Sequence, residues 1–175
     1  MGSVSKLNPE HWSTTAEHYT PEFIADRVRL VMGGIHLDPA SCHEANLTVR
    51  ATRYFSKDDD GLSRPWTGSV FCNPPGDKSG KLIQKFWRKL HQHVCMGDVE
   101  QFTWLAFNVS HLRTLQTPGV IADLLEECDV CVPSSRIRFT GNSPTKDNAI
   151  LYWGPNRRAF YRHFRSMGVI WRGVR

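Results

Sequence analysis

Ser69-Val70-Phe71-Cys72, followed directly by Asn73-Pro74-Pro75-Gly76, is the pattern of a buried strand that ends in a tight turn. Proline has no amide hydrogen, so the chain cannot continue as a paired strand through Pro74 and Pro75. The turn sets the side-chain oxygen of Asn73 and the Pro74 carbonyl side by side as acceptors. Two adjacent acceptors are suited to holding an exocyclic NH2 group.

Helices and strands alternate on both sides of this turn. Thr20 is the expected N-cap, and Pro21 the expected first residue, of a helix that ends at Gly33-Gly34. Apolar spacing predicts further helices at 43–52, 79–93, 121–127 and 156–167, and further strands at 35–38, 54–55, 102–109, 130–139, 148–153 and 169–171. The alternation predicts an α/β fold whose sheet is covered by helices on both faces.

Two polar residues stand at the ends of predicted strands. Asp38 ends the strand at 35–38, and Asn73 follows the strand at 69–72. Ligands of α/β sheets bind at the carboxyl ends of the strands, so we expect both side chains at one edge. Asp38 can bind the amine or hydroxyls of a nucleoside-bearing cofactor beside an amine held by Asn73, which favours methyl transfer. The alternative is that Asp38 only caps the helix beginning near His43.

The composition is that of one compact domain. With 175 residues, of which 40% are hydrophobic, the chain is long enough to bury a core. We expect a flexible N-terminal segment at 1–17 and a single domain at 18–175. No apolar run reaches the roughly 20 residues that span a bilayer, and the first residues lack the apolar core of a signal peptide. These features predict a cytoplasmic protein without a membrane partner.

Positive charge is concentrated at the C-terminal end. The net charge is +5, and residues 153–175 contain six arginines and no acidic residue. This excess indicates a polyanion as partner. A solvated helix face without a partner is the alternative.

The cysteines and histidines do not indicate a metal site or disulfides. Five scattered cysteines, an odd number, are expected to be reduced thiols. One cluster contains four residues of metal-ligating type: His36, Cys42, His43 and Glu44. Its spacing matches no zinc pattern, so no metal is expected. Cys128 and Cys131 form a CxxC pair that we interpret as core packing.

Seven short blocks occur in an order that resembles the phage-type Dam family, the DNA N6-adenine methyltransferases of phages and prophages. They are Thr20-Pro21-Glu22-Phe23-Ile24, Leu37-Asp38-Pro39-Ala40-Ser41, Arg53-Tyr54-Phe55, Asp60-Gly61-Leu62, Trp66-Thr67-Gly68, Asn73-Pro74-Pro75 and Arg136-Ile137-Arg138-Phe139. The resemblance covers residues 20–139. It implies a Rossmann-like, S-adenosylmethionine-dependent methyltransferase fold with a compact, mostly parallel sheet, acting on DNA in the host-cell cytoplasm if phage-encoded.

The resemblance also implies roles for single residues. Asn73, Pro74 and Pro75 would form the catalytic turn that holds the adenine amine. The cofactor S-adenosylmethionine would be bound by Thr20, Pro21, Asp38, Ser41 and Asp60. Arg136 would contact a phosphate or a base of the DNA.

Gly76 departs from the pattern of the family. Related enzymes usually carry an aromatic residue after Asn-Pro-Pro, where it stacks on the base turned out of the duplex. Another aromatic must then stack on the target, and Tyr19, Trp66 and Trp12 are the candidates. The alternative is that Gly76 belongs to a substrate-binding loop, residues 76–80, that closes over a substrate of different shape. The loop after Asp38 also lacks glycines, so that Ala40 and Ser41 must replace them.

Two other functions are compatible with the same residues. The chain could be a weak or inactive relative that binds DNA through its basic C-terminal end. It could also methylate another planar amine, such as that of an RNA base or a protein glutamine. The sequence does not indicate an oligomeric state.

Overall fold

A computed structural model describes residues 18–77, 79–116, 122–139 and 146–174 of the chain. The segment 1–17, predicted to be flexible, and Trp12 within it lie outside the described residues. Within the described ranges, no helix is both long and apolar enough to cross a membrane.

Seven strands and six helices are assigned in the described residues. The strands are β1 (Leu37–Asp38), β2 (Arg53–Tyr54), β3 (Gly68–Cys72), β4 (Val99–Ala106), β5 (Asp129–Pro133), β6 (Ala149–Trp153) and β7 (Gly168–Trp171). The helices are α1 (Glu22–Met32), α2 (His43–Val49), α3 (Lys81–Cys95), α4 (His111–Leu115), α5 (Ala122–Glu127) and α6 (Arg157–Phe164).

The strands form one mixed sheet in the order β2-β1-β3-β4-β6-β5-β7. The first four are parallel to their neighbours, whereas β4 and β6, β6 and β5, and β5 and β7 pair in antiparallel fashion. Strands β1 to β5 therefore run in one direction, and β6 and β7 run against them. The edge at which β1 to β5 end is called the carboxyl edge below. The predicted mostly parallel sheet is confirmed for the four neighbouring strands, and its antiparallel half was not predicted.

Successive side chains of the central strands pack into two different hydrophobic cores. Val70 and Cys72 of β3 belong to a core on one face, together with Phe86 of α3. Phe71, between them, belongs to the core on the other face, together with Phe160 of α6. Burying one such side chain contributes about 1.5–3 kcal/mol relative to leaving it exposed. The prediction that helices cover both faces is confirmed.

Helix α1 begins one residue later than predicted. Pro21 occupies the N-cap position, and its carbonyl accepts the N–H of Ile24 at 3.0 Å. The prediction that Thr20 caps the helix is wrong, because its hydroxyl accepts a hydrogen bond from Asn73 instead. Gly33 ends the helix in the left-handed conformation, at φ 74°, as expected.

Several other elements, β1 and α6 among them, are shorter than predicted, and one element was missed. Helix α2 ends at Val49 because the Asn46 amide binds the backbone of Ala51, with Oδ1 accepting the Ala51 N–H at 2.9 Å. Strand β5 ends at Pro133, so 136–139 lie beyond it as a loop at the carboxyl edge. The five-residue helix α4, after β4, was not predicted.

Candidate functional site at the carboxyl edge

Asn73 follows β3 at the carboxyl edge, and its amide has a defined orientation. Its Nδ2 donates to the carbonyl of His18 at 3.1 Å and to the hydroxyl of Thr20 at 3.4 Å. A backbone carbonyl can only accept, so the NH2 end must face His18 and Oδ1 must face the other way. Oδ1 is therefore presented as an acceptor on the side opposite residues 18–20. The structure brings Thr20 and Asn73 together, as the sequence predicts for one site.

Asp38 is a buried carboxylate on the neighbouring strand. Only 2% of the residue is exposed, and β1 lies directly beside β3 in the sheet. Its Oδ1 accepts the N–H of Ala40 at 3.2 Å, and no described residue forms an ion pair with it. Burial raises the pKa of Asp38 to about 7, and hydrogen bonds from the Ala40 N–H and the Ser41 side chain oppose this shift.

The alternative role of Asp38 as a helix cap is not observed. Cys42 occupies the N-cap position of α2, and its Sγ accepts the N–H of Ala45 at 3.4 Å. Asp38 instead lies close enough to Cys72 that its charge, after burial, helps to raise the pKa of that thiol. Cys72 directly precedes Asn73, so Asp38 and the Asn-Pro-Pro turn share one part of the carboxyl edge.

The loop after Asp38 is held in place by two backbone contacts. The N–H of Ser41 donates to the Phe55 carbonyl at 2.9 Å. A side chain on Gly61 would place its Cβ 2.0 Å from the Pro39 carbonyl oxygen, so only glycine allows this close approach. These contacts connect three of the blocks recognised in the sequence, since 53–55 and 60–62 both touch the loop that carries Asp38 and Ser41.

Asp60 lies in the same block but points its carboxylate towards α3. The residue is exposed, and its Oδ1 accepts the N–H of Leu62 at 3.3 Å. It lines a surface depression together with Lys85 and Lys89. Burial lowers the pKa of Lys89, and the charge of Asp60 partly opposes this shift. No contact in the described residues joins the Asp60 side chain to Asp38 or Asn73.

The aromatic candidates separate clearly by burial. The prediction that Trp66 stacks on a target base is wrong, because the side chain is fully buried, its Nε1 donates to the Gly61 carbonyl at 2.8 Å and its ring packs 5.9 Å from that of Phe86. Tyr19 is partly buried, and its hydroxyl accepts from the Cys42 thiol at 3.6 Å. Gly76 is exposed, and a Cβ built there would meet no atom within 4 Å.

Sequence reasoning missed a cluster of three rings beside Asn73. The ring of Phe107 lies 4.5 Å from that of His18 and 5.3 Å from that of Phe139, measured between centroids. Partial burial lowers the pKa of His18, which favours the neutral imidazole. Phe107 directly follows β4 just as Asn73 directly follows β3, and this shared position is the signal that could have identified it.

Arg136 lies at the carboxyl edge in a loop that is fixed by Asn148. Its Nε donates to Asp147 at 3.0 Å, and both side chains are largely exposed. Asn148 is buried, and its amide joins the loop to the end of β4 by accepting the Ile137 N–H at 3.0 Å and donating to the Phe107 carbonyl at 2.7 Å. Arg136 is thus held beside the ring cluster.

The described cysteines are free thiols at separate places in the fold. No group of three or more His, Cys, Asp or Glu side chains is arranged there to hold a metal ion. Cys128 and Cys131 belong to cores on opposite faces of the sheet, and their thiols donate to the carbonyls of Leu124 and Phe164. The CxxC pair therefore cannot act as one dithiol site.

The carboxyl edge thus combines a buried carboxylate that forms no ion pair within the described residues, an amide whose NH2 end faces His18, and a partly exposed aromatic cluster. Such a set can bind hydroxyl or amine donors at Asp38 and a second amine at Asn73. Comparisons of the chain with models of protein families, with curated proteins and with solved structures found no match.

Proposed function

We propose that the chain transfers a methyl group from S-adenosylmethionine to the N6 amine of adenine in DNA, on a Rossmann-like methyltransferase fold. The orientation of Asn73 is the observation that carries the proposal. Its Nδ2 is engaged by His18 and Thr20, so Oδ1 remains as an acceptor for an incoming amine. The ordered resemblance to the phage-type Dam family supports the same reaction.

The role of the turn follows from the chemistry of the adenine amine. N6 is a poor nucleophile because its lone pair is delocalised into the ring. Asn73 Oδ1 and the Pro74 carbonyl each accept one N6 hydrogen, which favours a pyramidal nitrogen with a localised lone pair. The new N–C bond forms as the S–C bond breaks, and N6 then loses one proton to water. Positioning and stabilisation of the developing charge supply the rate enhancement, without a strong base.

The residues of the carboxyl edge fit the cofactor. Asp38 is buried and has no cation of the described chain beside it, so its carboxylate is suited to ribose hydroxyls or an ammonium group. Ser41 adds a hydroxyl in the same loop, and Thr20, which directly precedes Pro21, contacts Asn73. S-adenosylmethionine, when bound, supplies a methyl group on a positively charged sulfur.

Exposed basic residues on α3 support a polyanion as the substrate. Lys81, Lys85 and Arg88 are exposed at a spacing that aligns them along one side of the helix, and α3 contains no acidic residue. Helix α3 begins shortly after the Asn-Pro-Pro turn, so this stripe starts next to the candidate site. Such cations bind phosphates without reading sequence.

The C-terminal arginines are less well placed for this role. Arg157 is used inside the fold, since its Nε donates to the buried Asp129 at 2.9 Å. Helix α6 follows β6, which runs away from the carboxyl edge, so Arg158 begins at the opposite edge of the sheet. The α3 stripe is therefore the better candidate for the DNA backbone.

Transfer of a labelled methyl group tests the proposal directly. Purified protein is incubated with methyl-labelled S-adenosylmethionine and unmethylated DNA, and the digested nucleosides are separated. We expect label in N6-methyladenine. Parallel reactions contain RNA or a glutamine-containing peptide in place of DNA. Label in either of these would identify another planar amine as the substrate. Cofactor and DNA binding without transfer to any of the three would contradict the proposal and favour an inactive relative.

Charge reversal distinguishes the two basic surfaces. We expect K85E/R88E on α3 to weaken DNA binding and to lower the slope of log affinity against log salt by about 2, because two phosphate contacts are lost. R158E/R162E on α6 is the matched control, with the same charge change at exposed helix positions. Fluorescence anisotropy over a salt series measures both. A larger loss of DNA affinity in R158E/R162E than in K85E/R88E would identify the C-terminal arginines as the DNA-binding surface.

A further inference from the structure

Three rings form a cluster at the carboxyl edge, beside the turn that carries Asn73. His18 and Phe107 are partly exposed, whereas Phe139 is buried beneath them. The His18 and Phe107 ring centroids are 4.5 Å apart, and the two rings are tilted by 32°. Phe107 thus already accepts a planar heteroaromatic ring at stacking distance.

Strand register sets this cluster next to the Asn-Pro-Pro turn. Cys72 of β3 is paired with Trp104 of β4. The chain leaves the sheet directly after Cys72 in β3 and after Ala106, two residues beyond Trp104, in β4, so Asn73 and Phe107 follow neighbouring strand ends. His18 connects the two directly, because its carbonyl accepts the Asn73 Nδ2 while its ring packs on Phe107.

The turn itself offers no ring for a target base. Gly76 has no side chain, and a Cβ there would meet no atom within 4 Å. Trp66 is fully buried, and the Tyr19 hydroxyl is engaged by Cys42. Among the described residues, His18 is the partly exposed ring whose own backbone binds Asn73, and Phe107 is the partly exposed ring that packs on it.

We propose that His18 and Phe107 together form the platform on which the planar target ring stacks while Asn73 holds its amine. The inference rests on the proposed function, and it identifies the residues that replace the missing aromatic at Gly76. Stacking needs only the π-face of a ring, so the platform accepts a base without reading its sequence context. The buried Phe139 ring, 5.3 Å from Phe107, supports the platform from below.

A duplex with a single unpaired adenine, compared with the same duplex carrying an abasic site at that position, isolates the contribution of stacking. We expect the wild-type protein to bind the adenine duplex about five- to a hundredfold more tightly, the range typical of stacking on one aromatic platform. F107L removes the π-face but keeps an apolar side chain, and it should abolish this preference while binding the abasic duplex normally. F107W should retain the preference, and Y161L on α6 is the control for loss of an exposed aromatic ring.

A second substitution tests the same idea from the turn. G76Y adds a ring in open space, so in the F107L background it should restore the preference for the adenine duplex. A thermal melt of each variant shows whether it folds. If F107L does not fold, H18A is compared on the same two duplexes in its place. Full preference in both F107L and H18A would overturn the platform.

The outcomes for the platform and for the reaction are separable. Methyl transfer to DNA without any preference for adenine over the abasic site would overturn the platform and leave the proposed function standing. A preference that depends on Phe107, in a protein that transfers no methyl group, would support the platform as a base-binding site and overturn the proposed function.

Discussion

Replacing Asn73 with alanine is expected to abolish methyl transfer to DNA while S-adenosylmethionine still binds. The side-chain oxygen is one of the two acceptors for the N6 hydrogens, and the second acceptor alone cannot hold the amine in a pyramidal state. Removing one preorganised hydrogen-bonding group from a reaction centre typically costs about 100- to 1000-fold in rate. Single-turnover transfer of labelled methyl, with cofactor binding measured by calorimetry, checks this result.

Two matched variants separate the two ends of the Asn73 amide. N73D keeps an acceptor oxygen but loses the NH2 group that donates to His18 and Thr20. T20V removes only the Thr20 hydroxyl. We expect N73D to retain more activity than N73A, and T20V to lower stability by about 1 kcal/mol and to reduce the rate less than N73A does. Wild-type rates in N73A would show that the turn does not hold the reacting amine.

The strand ends that carry the candidate site could be predicted because local signals coincide there. At β3, a buried apolar run meets two prolines, and both features act on the chain directly around Asn73. At β1, the short apolar strand ends at Asp38 before another proline. Since parallel strands end at one edge, placing these two residues together required only the prediction that β1 and β3 run in the same direction.

Contacts between distant residues could not be predicted in this way. Thr20 has the residue type and position of an N-cap, yet its hydroxyl binds Asn73, 53 residues away. The local pattern is the same for either partner. Only the fold decides which contact forms, because it brings 18–20 across the end of β3.

Burial of aromatic residues also depends on the whole fold. Trp66 lies in a polar stretch before β3 and was a candidate to stack on the target base, but the turn at Gly61 folds back and accepts its Nε1–H. Phe107 follows a strand that is buried over most of its length and would be taken for core, although it remains partly exposed. Sequence order cannot distinguish these cases, because exposure is set by segments packed from elsewhere.

The antiparallel pairing of β4, β6 and β5 could not be predicted either, because a local sequence pattern does not determine the direction of a strand. Residues 129–133 and 149–153 both show a clear strand pattern, and both are strands. Their apolar content is the same for either direction of pairing. The reversal of β6 between β4 and β5 arises from the connection through the carboxyl edge, where Asn148 binds the Phe107 carbonyl and the Ile137 N–H.

Replacing Asp38 with asparagine is expected to stabilise the cofactor-free protein at neutral pH and to weaken cofactor binding. Burial raises the pKa of Asp38 from 3.8 to about 7, so the folded state binds a proton that the unfolded state releases. The wild-type protein therefore loses stability as pH rises from about 4 to 7, by up to about 4 kcal/mol at 1.36 kcal/mol per pKa unit. D38N lacks this loss, so its advantage should grow across this range and remain constant above it.

Denaturant unfolding of both proteins at several pH values between 4.5 and 8 measures the difference. D60N is the control, because it removes a carboxylate of the same kind from an exposed position. A difference between wild type and D38N that does not change with pH would contradict a raised pKa of the buried Asp38.

Cofactor binding should follow the opposite trend with pH. Hydroxyl or ammonium donors bind the ionised carboxylate best, so wild-type affinity should rise up to tenfold per pH unit below 7 and level off above it. In D38N the affinity should be about ten- to a hundredfold lower at pH 8, because a neutral amide replaces a charge-assisted acceptor, and it should not depend on pH in this range. Ionised Asp38 thus lowers the stability of the cofactor-free protein but raises its affinity for the cofactor. This combination indicates that the role of Asp38 is ligand binding and not stabilisation of the fold. Equal affinity in D38N and wild type at pH 8 would remove Asp38 from the cofactor site.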